Sequence, residues 1–314
     1  MRILITDKTH PVLEQMLRTA GHEVTVDGTL DYGSLTACVG QYDAIVVRSK
    51  VIIDRPFLER ARHLKCIGRV GAGMETIDVA YAESVGIHCL NSPEGNRDAV
   101  GEHAVGMLLA LFDHIARADS EVRQGLWRRE ENRGLEVKGK TVGIIGFGNM
   151  GRAFAQRLRG FECKVVAYDK YLPAGYAPEG VEELSLEGLQ ACADVLSLHV
   201  PLTDETRYMV DNAFLHAFAK NIYLVNTSRG PVVKTDDLLD ALHEGKVLGA
   251  ALDVLEYEDM SKDGTCLPSR FNAQVAALGS RLVLTPHVAG WTVESKEKLA
   301  RVLAEKIIDC LSRC

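Results

Sequence analysis

Three glycines, Gly146, Gly148 and Gly151, stand in G-x-G-x-x-G spacing directly after an apolar, β-branched run. An acid, Asp169, closes the next apolar run. Each position has a physical use in holding a dinucleotide. Gly146 permits a tight turn, Gly148 lets a pyrophosphate approach the backbone, and Gly151 lets a helix pack against the strand. The helix N-terminus offers unpaired N–H groups and a positive dipole to phosphate, so Phe147, Asn149 and Met150 join the glycines as candidate cofactor contacts. Asp169 lies about 20 residues on, where a carboxylate accepts hydrogen bonds from ribose hydroxyls. It also repels a 2′-phosphate, which predicts NAD over NADP as the cofactor. A lone glycine motif is weak, because glycine turns are common. Here strand, helix, second strand and terminal acid agree.

The elements that must position these groups can be read along the chain. Strands are expected over 2–6, 23–26, 44–48, 66–70 and 87–90. Helices are expected over 11–19, from about Asp54 and Pro56, and over 78–84. Alternating strands and helices imply a parallel sheet covered on both faces. Residues 92–98 are polar and turn-rich, as a hinge would be. Beyond them Val100, Ala104, Leu108, Leu111 and Phe112 recur at helical spacing. Residues 121–138 are charged and read as an exposed arm. The glycine motif then opens a second α/β unit, with later strands over 195–200, 222–226, 248–253 and 282–285. A closing helix over 293–311 carries Leu299, Val302, Leu303, Ile307 and Leu311 on one stripe.

The expected fold class is therefore α/β, with two Rossmann-like or flavodoxin-like parallel-sheet domains and a cleft between them. Residues 1–95 plus 288–314 form the expected substrate domain, and 96–287 the cofactor domain. Ligands bind outside the carboxyl ends of parallel strands.

Composition agrees with an ordinary globular protein. The 314 residues are 46% hydrophobic and 25% charged, with a net charge of −7. That balance argues against a general nucleic-acid surface, which needs clustered Lys and Arg. The eight cysteines show no C-x-x-C pairing and read as reduced thiols, with Cys310 and Cys314 incidental. No metal site is expected. The start MRILITDKTH runs straight into a strand, with no secretory pattern, and no apolar run approaches the ~20 residues of a membrane span. A cytoplasmic location is expected.

Several further stretches resemble the D-isomer-specific 2-hydroxyacid dehydrogenases. They are GRVGAGMETID from Gly68, NSPEGNRDAVGEHAVG from Asn91, HVPLTDETR from His199, VNTSRG from Val225, ALDVLEYE from Ala251 and TPHVAGWT from Thr285. They follow the family's order over nearly the whole chain. The resemblance implies that Arg229, Glu258 and His287 are catalytic. It extends the cofactor contacts to His199, Val200, Pro201, Thr206, Thr227, Ser228 and Asp253. It assigns Arg48, Ser49, Arg69, Ala72, Gly73 and Asn96 to substrate.

The implied chemistry is coherent. Oxidising a 2-hydroxy acid removes a hydroxyl proton and a C2 hydride, so a base must take the proton while a nicotinamide accepts the hydride. Histidine suits that role, and a neighbouring carboxylate would favour its imidazolium. Arg229 could hold the substrate carboxylate through paired hydrogen bonds. Backbone amides around Ala72 and Gly73 would hold it from the other domain. Structural readings stand beside these. His199 could be a satisfied buried histidine, Asn96 a helix N-cap, and Gly71 with Gly73 a tight turn. After Glu258 the chain departs from the family pattern. Asp259 opens a longer loop, expected to hold a short helix over 272–278, and Glu256 is the fallback carboxylate.

Arg48-Ser49 and Arg69 in GRVGAG resemble the 3-phosphoglycerate dehydrogenase branch, which implies a phosphorylated acid and a place in serine biosynthesis. Ordinary surface charge is the alternative for both arginines. A short form without a serine-sensing extension is expected. Glyoxylate, hydroxypyruvate or D-lactate chemistry is the alternative, and formate oxidation would leave a base unexplained. A second class within the resemblance is an NAD-sensing, corepressor-like binding protein; turnover separates the two. The resemblance also implies a homodimer formed through the cofactor domain, with residues 100–133 as the crossing arm.

Overall fold

The β-branched runs pair into two parallel sheets in the computed structural model, which describes residues 1–258 and 268–313. The start of the longer loop, residues 259–267, and Cys314 lie outside the described residues. The chain divides into two compact units, Met1–Arg97 with Trp291–Cys314, and Asp98–Gly290.

The first unit alternates β1 (Arg2–Ile5), α1 (Pro11–Thr19), β2 (Glu23–Val26), α2 (Tyr32–Cys38), β3 (Ala44–Val47), α3 (Arg55–Arg60), β4 (Cys66–Arg69), α4 (Val79–Ser84) and β5 (His88–Asn91). The strand order is β2-β1-β3-β4-β5, the flavodoxin-like order. Strand β3 is buried along its whole length, as a strand covered on both faces must be. Helix starts follow local capping chemistry. Asp54 accepts a hydrogen bond from the Phe57 amide with Pro in the first turn, and Asp78 accepts from Tyr81. The closing helix Val293–Ser312 packs Leu299, Leu303, Ile307 and Leu311 into the same core as β1 and β3. A Cβ at Gly68 in β4 would lie 2.8 Å from Ile307, so glycine there admits that helix.

The second unit begins in α5 (Arg97–Phe112), whose stripe from Val100 to Phe112 is buried. A Cβ at Gly101 would come within 2.9 Å of the Ala153 carbonyl, which makes room for close helix packing. Helix α6 (Ile115–Arg123) follows. The stretch expected as an exposed arm is therefore helical up to Arg123, and it is exposed over most of 124–136. Next come β6 (Thr141–Ile145), α7 (Asn149–Leu158), β7 (Lys164–Tyr168), β8 (Val181–Glu183), α8 (Leu186–Cys192), β9 (Val195–Leu198), α9 (Asn212–His216), β10 (Ile222–Asn226), α10 (Thr235–Glu244), β11 (Val247–Leu252), α11 (Asn272–Leu278) and β12 (Leu282–Leu284). The order β12-β11-β10-β9-β6-β7-β8 is the doubly wound arrangement with one further strand. Its direction of winding reverses between β6 and β9. Apolar clusters cover both sheet faces.

Asn96 makes no capping bond; its Oδ1 is buried without a partner, so the N-cap alternative is not realised. Six described cysteines are free thiols. No single helix among the described residues is long and apolar enough to cross a membrane.

Candidate active site

The glycine loop leaves β6 at the reversal point. Gly146 adopts φ +87°, and a Cβ there would lie 2.6 Å from the His199 carbonyl oxygen. Only glycine meets both demands. Gly148 opens onto free space and caps α7 without a side-chain bond. The first-turn N–H groups of α7 are thus left for an anion. A Cβ at Gly151 would collide with the Gly146 carbonyl, so the helix sits hard against its own loop. This cradle fits a pyrophosphate. Phe147 differs from its expected role: its side chain is fully buried, and its amide donates to Asp169 Oδ2 at 2.8 Å. Arg152 lies 5.0 Å over the Phe147 ring.

Asp169 is held beside that loop. Its Oδ1 accepts from the amides of Tyr171 at 3.0 Å and Leu172 at 3.2 Å. A carboxylate has about four acceptor sites, so Oδ2 retains one for a hydroxyl.

The loop after β9 faces the glycine turn. His199 Nε2 lies 2.8 Å from Ser197 Oγ, and its ring is 5.4 Å from Phe154. Nδ1 is buried without a partner. Burial pushes the imidazole well below its ordinary value, to about 3. Thr206 Oγ1 donates to the Pro201 carbonyl at 2.6 Å and accepts from the Thr203 amide at 2.8 Å, closing the turn that carries Val200 and Pro201.

Strands β10, β11 and β12 are neighbours and parallel, so their carboxyl ends share one edge. Asn226 organises the first end. Its Oδ1 accepts from the Ser228 amide and hydroxyl at 3.0 and 2.7 Å, and its Nδ2 donates to the Arg229 carbonyl at 3.1 Å. Arg229 Nη1 donates to the Ser228 carbonyl at 2.7 Å. A Cβ at Gly230 would run into the Leu255 peptide, so the T-S-R-G order has a steric basis. The Thr227 hydroxyl is buried without a partner.

Glu258 Oε1 lies 2.9 Å from His287 Nδ1. Both are partly buried, at 17% and 28% side-chain exposure, enough to strengthen the pair while leaving it reachable. Glu258 Oε2 accepts from the Leu255 amide at 3.3 Å. Glu256 points elsewhere: it accepts from the Tyr208 hydroxyl and the Thr235 amide, each at 2.8 Å. The carboxylate beside His287 is Glu258, not the fallback.

Asp253 occupies a place the sequence reading did not foresee. It is 1% exposed. Its oxygens accept from Thr285 Oγ1 at 2.6 Å, Val288 N at 2.9 Å and Ala289 N at 2.8 Å. Burial alone would raise this carboxyl, but hydrogen bonds from His103, Thr285, Ala289 and Val288 hold it below its ordinary value. Its carbonyl accepts from the His287 amide at 2.7 Å. Asp253 thus fixes the turn that presents His287, a use distinct from the cofactor contact expected of it. His103 Nε2 lies 3.1 Å from Thr285 Oγ1 and 3.5 Å from Asp253 Oδ1. Its one signal in sequence is a polar residue on the apolar stripe between Val100 and Met107.

In the first unit, Arg48 follows β3. Its amide donates to Asp7 Oδ2 at 2.9 Å, and its guanidinium lies 4.7 Å over the Trp291 ring. Lys296 Nζ is 5.2 Å from the same ring; neither Trp291 nor Lys296 was singled out from the sequence. Ser49 is exposed. Arg69 ends β4 and donates to the Val70 carbonyl at 3.1 Å. Gly71 adopts φ +143° and exchanges hydrogen bonds with Ser92, while Asn91 Nδ2 holds the Ala72 carbonyl at 2.7 Å. Among the described residues the N–H groups of Ala72 and Gly73 meet no acceptor.

Two parallel sheets, a dinucleotide cradle and a carboxylate–histidine pair on one sheet edge define the class. Residues 105–289 match the profile of the D-isomer specific 2-hydroxyacid dehydrogenase, NAD binding domain. The chain belongs to that family, and its second unit contains the NAD-binding domain. It is 37% identical over 306 residues to a D-3-phosphoglycerate dehydrogenase of Mycobacterium tuberculosis, covering 97% of this chain and 56% of that one. The chain spans just over half the length of the phosphoglycerate dehydrogenases it matches. It is 33% identical to a hydroxypyruvate reductase of Thermotoga maritima, covering 98% of this chain and 97% of that one. The D-lactate dehydrogenase of Aquifex aeolicus, solved with NAD and lactic acid, superposes with a TM-score of 0.81 at 26% identity, covering 100% of this chain and 96% of that one.

Proposed function

We propose that the chain is an NAD-dependent oxidoreductase interconverting a D-2-hydroxy acid and its 2-oxo acid, with D-3-phosphoglycerate and 3-phosphohydroxypyruvate as the best-fitting pair. The observation that carries the reading is the 2.9 Å contact between Glu258 and His287 Nδ1, on the same sheet as a cradle suited to a pyrophosphate. With Nδ1 engaged, Nε2 is the atom that exchanges the proton. Neutral, it takes the hydroxyl proton in oxidation; as an imidazolium, it returns that proton to the carbonyl oxygen in reduction. Glu258 holds the ring in place through Nδ1, which leaves Nε2 to face the substrate. Arg229 binds the acid's carboxylate and polarises the C2 carbonyl. Bound NAD supplies the hydride acceptor, and Gly146–Gly151 with Asp169 are the groups that would hold it.

In this reading the first unit binds substrate and the second binds cofactor. The unengaged amides of Ala72 and Gly73 suit a carboxylate, with Asn96 and Ser49 as further polar contacts. Arg48, just after β3, and Arg69, at the end of β4, suit a phosphate. Trp291 holds the Arg48 guanidinium in place through its ring face. The exposed apolar groups Val122, Leu126 and Trp127 support a homodimer, and we place the protein in the cytoplasm, in serine biosynthesis.

The deciding experiment is NADH oxidation by the purified chain across a panel of 2-oxo acids. The expected result is the highest kcat/KM with 3-phosphohydroxypyruvate. Preference for hydroxypyruvate or glyoxylate would support the second reading, which is favoured by the near-complete coverage of the Thermotoga reductase. No turnover with any acid would leave an NAD-binding module.

A further inference from the structure

Lys170 and Tyr171 directly follow Asp169 at the end of β7, and both engage one residue of the loop after β9. The Lys170 ammonium pairs with the Glu205 carboxylate, and the Tyr171 hydroxyl donates to the same group. Lys170 Nζ also lies 5.6 Å over the Tyr171 ring. Strands β7 and β9 are not neighbours; β6 runs between them. The three side chains therefore form a clasp across the strand end that carries the glycine loop, at the Asp169 side.

This clasp contributes little to stability. Lys170 and Glu205 are 56% and 44% exposed, and exposed pairs are screened by solvent. Its effect is on local charge. With Glu205 present, Asp169, Lys170 and Glu205 carry a net negative charge. Without it they would be neutral, with an ammonium and a phenol next to Asp169 and available to an anion.

We propose that Glu205 is a cofactor-specificity residue. By engaging Lys170 and Tyr171, it withholds from the 2′-phosphate of NADP the two side-chain donors that directly follow the ribose acid. That phosphate carries about −1.5 to −2 charges at neutral pH, so both the extra carboxylate and the sequestered ammonium disfavour it. The inference rests on the reading of Asp169 as the ribose acid.

The test is equilibrium binding of NADH and NADPH to the full chain, followed by nucleotide fluorescence at fixed low salt, which needs no substrate. Glu205→Gln should tighten NADPH relative to NADH by about tenfold. Adding Lys170→Met to that variant should return the ratio to its starting value. An unchanged ratio in Glu205→Gln overturns the proposal, as does a gain that survives Lys170→Met. Asp169→Ser separates the two layers. If it relaxes the preference while Glu205→Gln does not, only the clasp fails. If it too leaves the ratio unchanged, the ribose reading falls and takes the inference with it.

Discussion

His287 holds its backbone at φ +53°, a region a residue with a side chain enters at a cost on the order of 1–2 kcal/mol. Asp253 supplies the compensation. Its carbonyl takes the His287 amide, and its carboxylate takes the next two amides along the turn. The turn then aims the imidazole so that Nδ1 meets Glu258. Asparagine tolerates the left-handed region better than most residues, so His287→Asn should keep the turn and remove the proton donor. We expect kcat to fall by roughly 10²–10⁴-fold while the Kd for NADH, followed by nucleotide fluorescence, stays close to wild type. Turnover within a few-fold of wild type would take His287 out of the chemistry.

At the scale of the element, β9 is followed directly by His199, whose ring is enclosed. Its folded pKa of about 3 lies below the ordinary 6.5, so the unfolded chain binds the proton first. The stabilisation is complete above 6.5 and is lost as the pH falls from there toward 3. Urea unfolding of the wild type should therefore weaken more steeply over that window than unfolding of His199→Gln; parallel slopes would contradict the burial argument. Elements of this kind differ in how plainly the sequence announces them. Helix α1 and strand β10 have the bounds that Pro11 and the apolar run ending at Asn226 indicate. Helix α2 contains Gly33 and buries only Leu35, and β8 is a three-residue edge strand. Neither has a periodic pattern long enough to read. Arg229, Glu258 and His287 were visible through their motifs. The support beneath His287 was not, because His103, Asp253, Thr285 and Ala289 converge only once the sheet has formed.

At the scale of the whole molecule, the apolar surface at the end of α6 and just beyond it bears on assembly. Trp127 is 79% exposed, beside Val122 at 52% and Leu126 at 37%. A tryptophan so placed is a typical anchor for an interface. Trp127→Glu should halve the mass measured by light scattering at micromolar concentration; a wild type that is already monomeric would remove the dimer. The strand order of the second unit has another consequence. The parts that suit a dinucleotide's ribose end hang from β6, β7 and β9, while Arg229, Glu258 and His287 hang from β10 to β12. Four strand steps separate β7 from β11, roughly 19 Å at about 4.8 Å per step. Over such a span, substitutions without shared partners combine additively. On the proposed reading, cofactor preference and acid–base chemistry are thus separable traits of this sheet: one end could be rewritten, by drift or by engineering, while the other kept working unchanged.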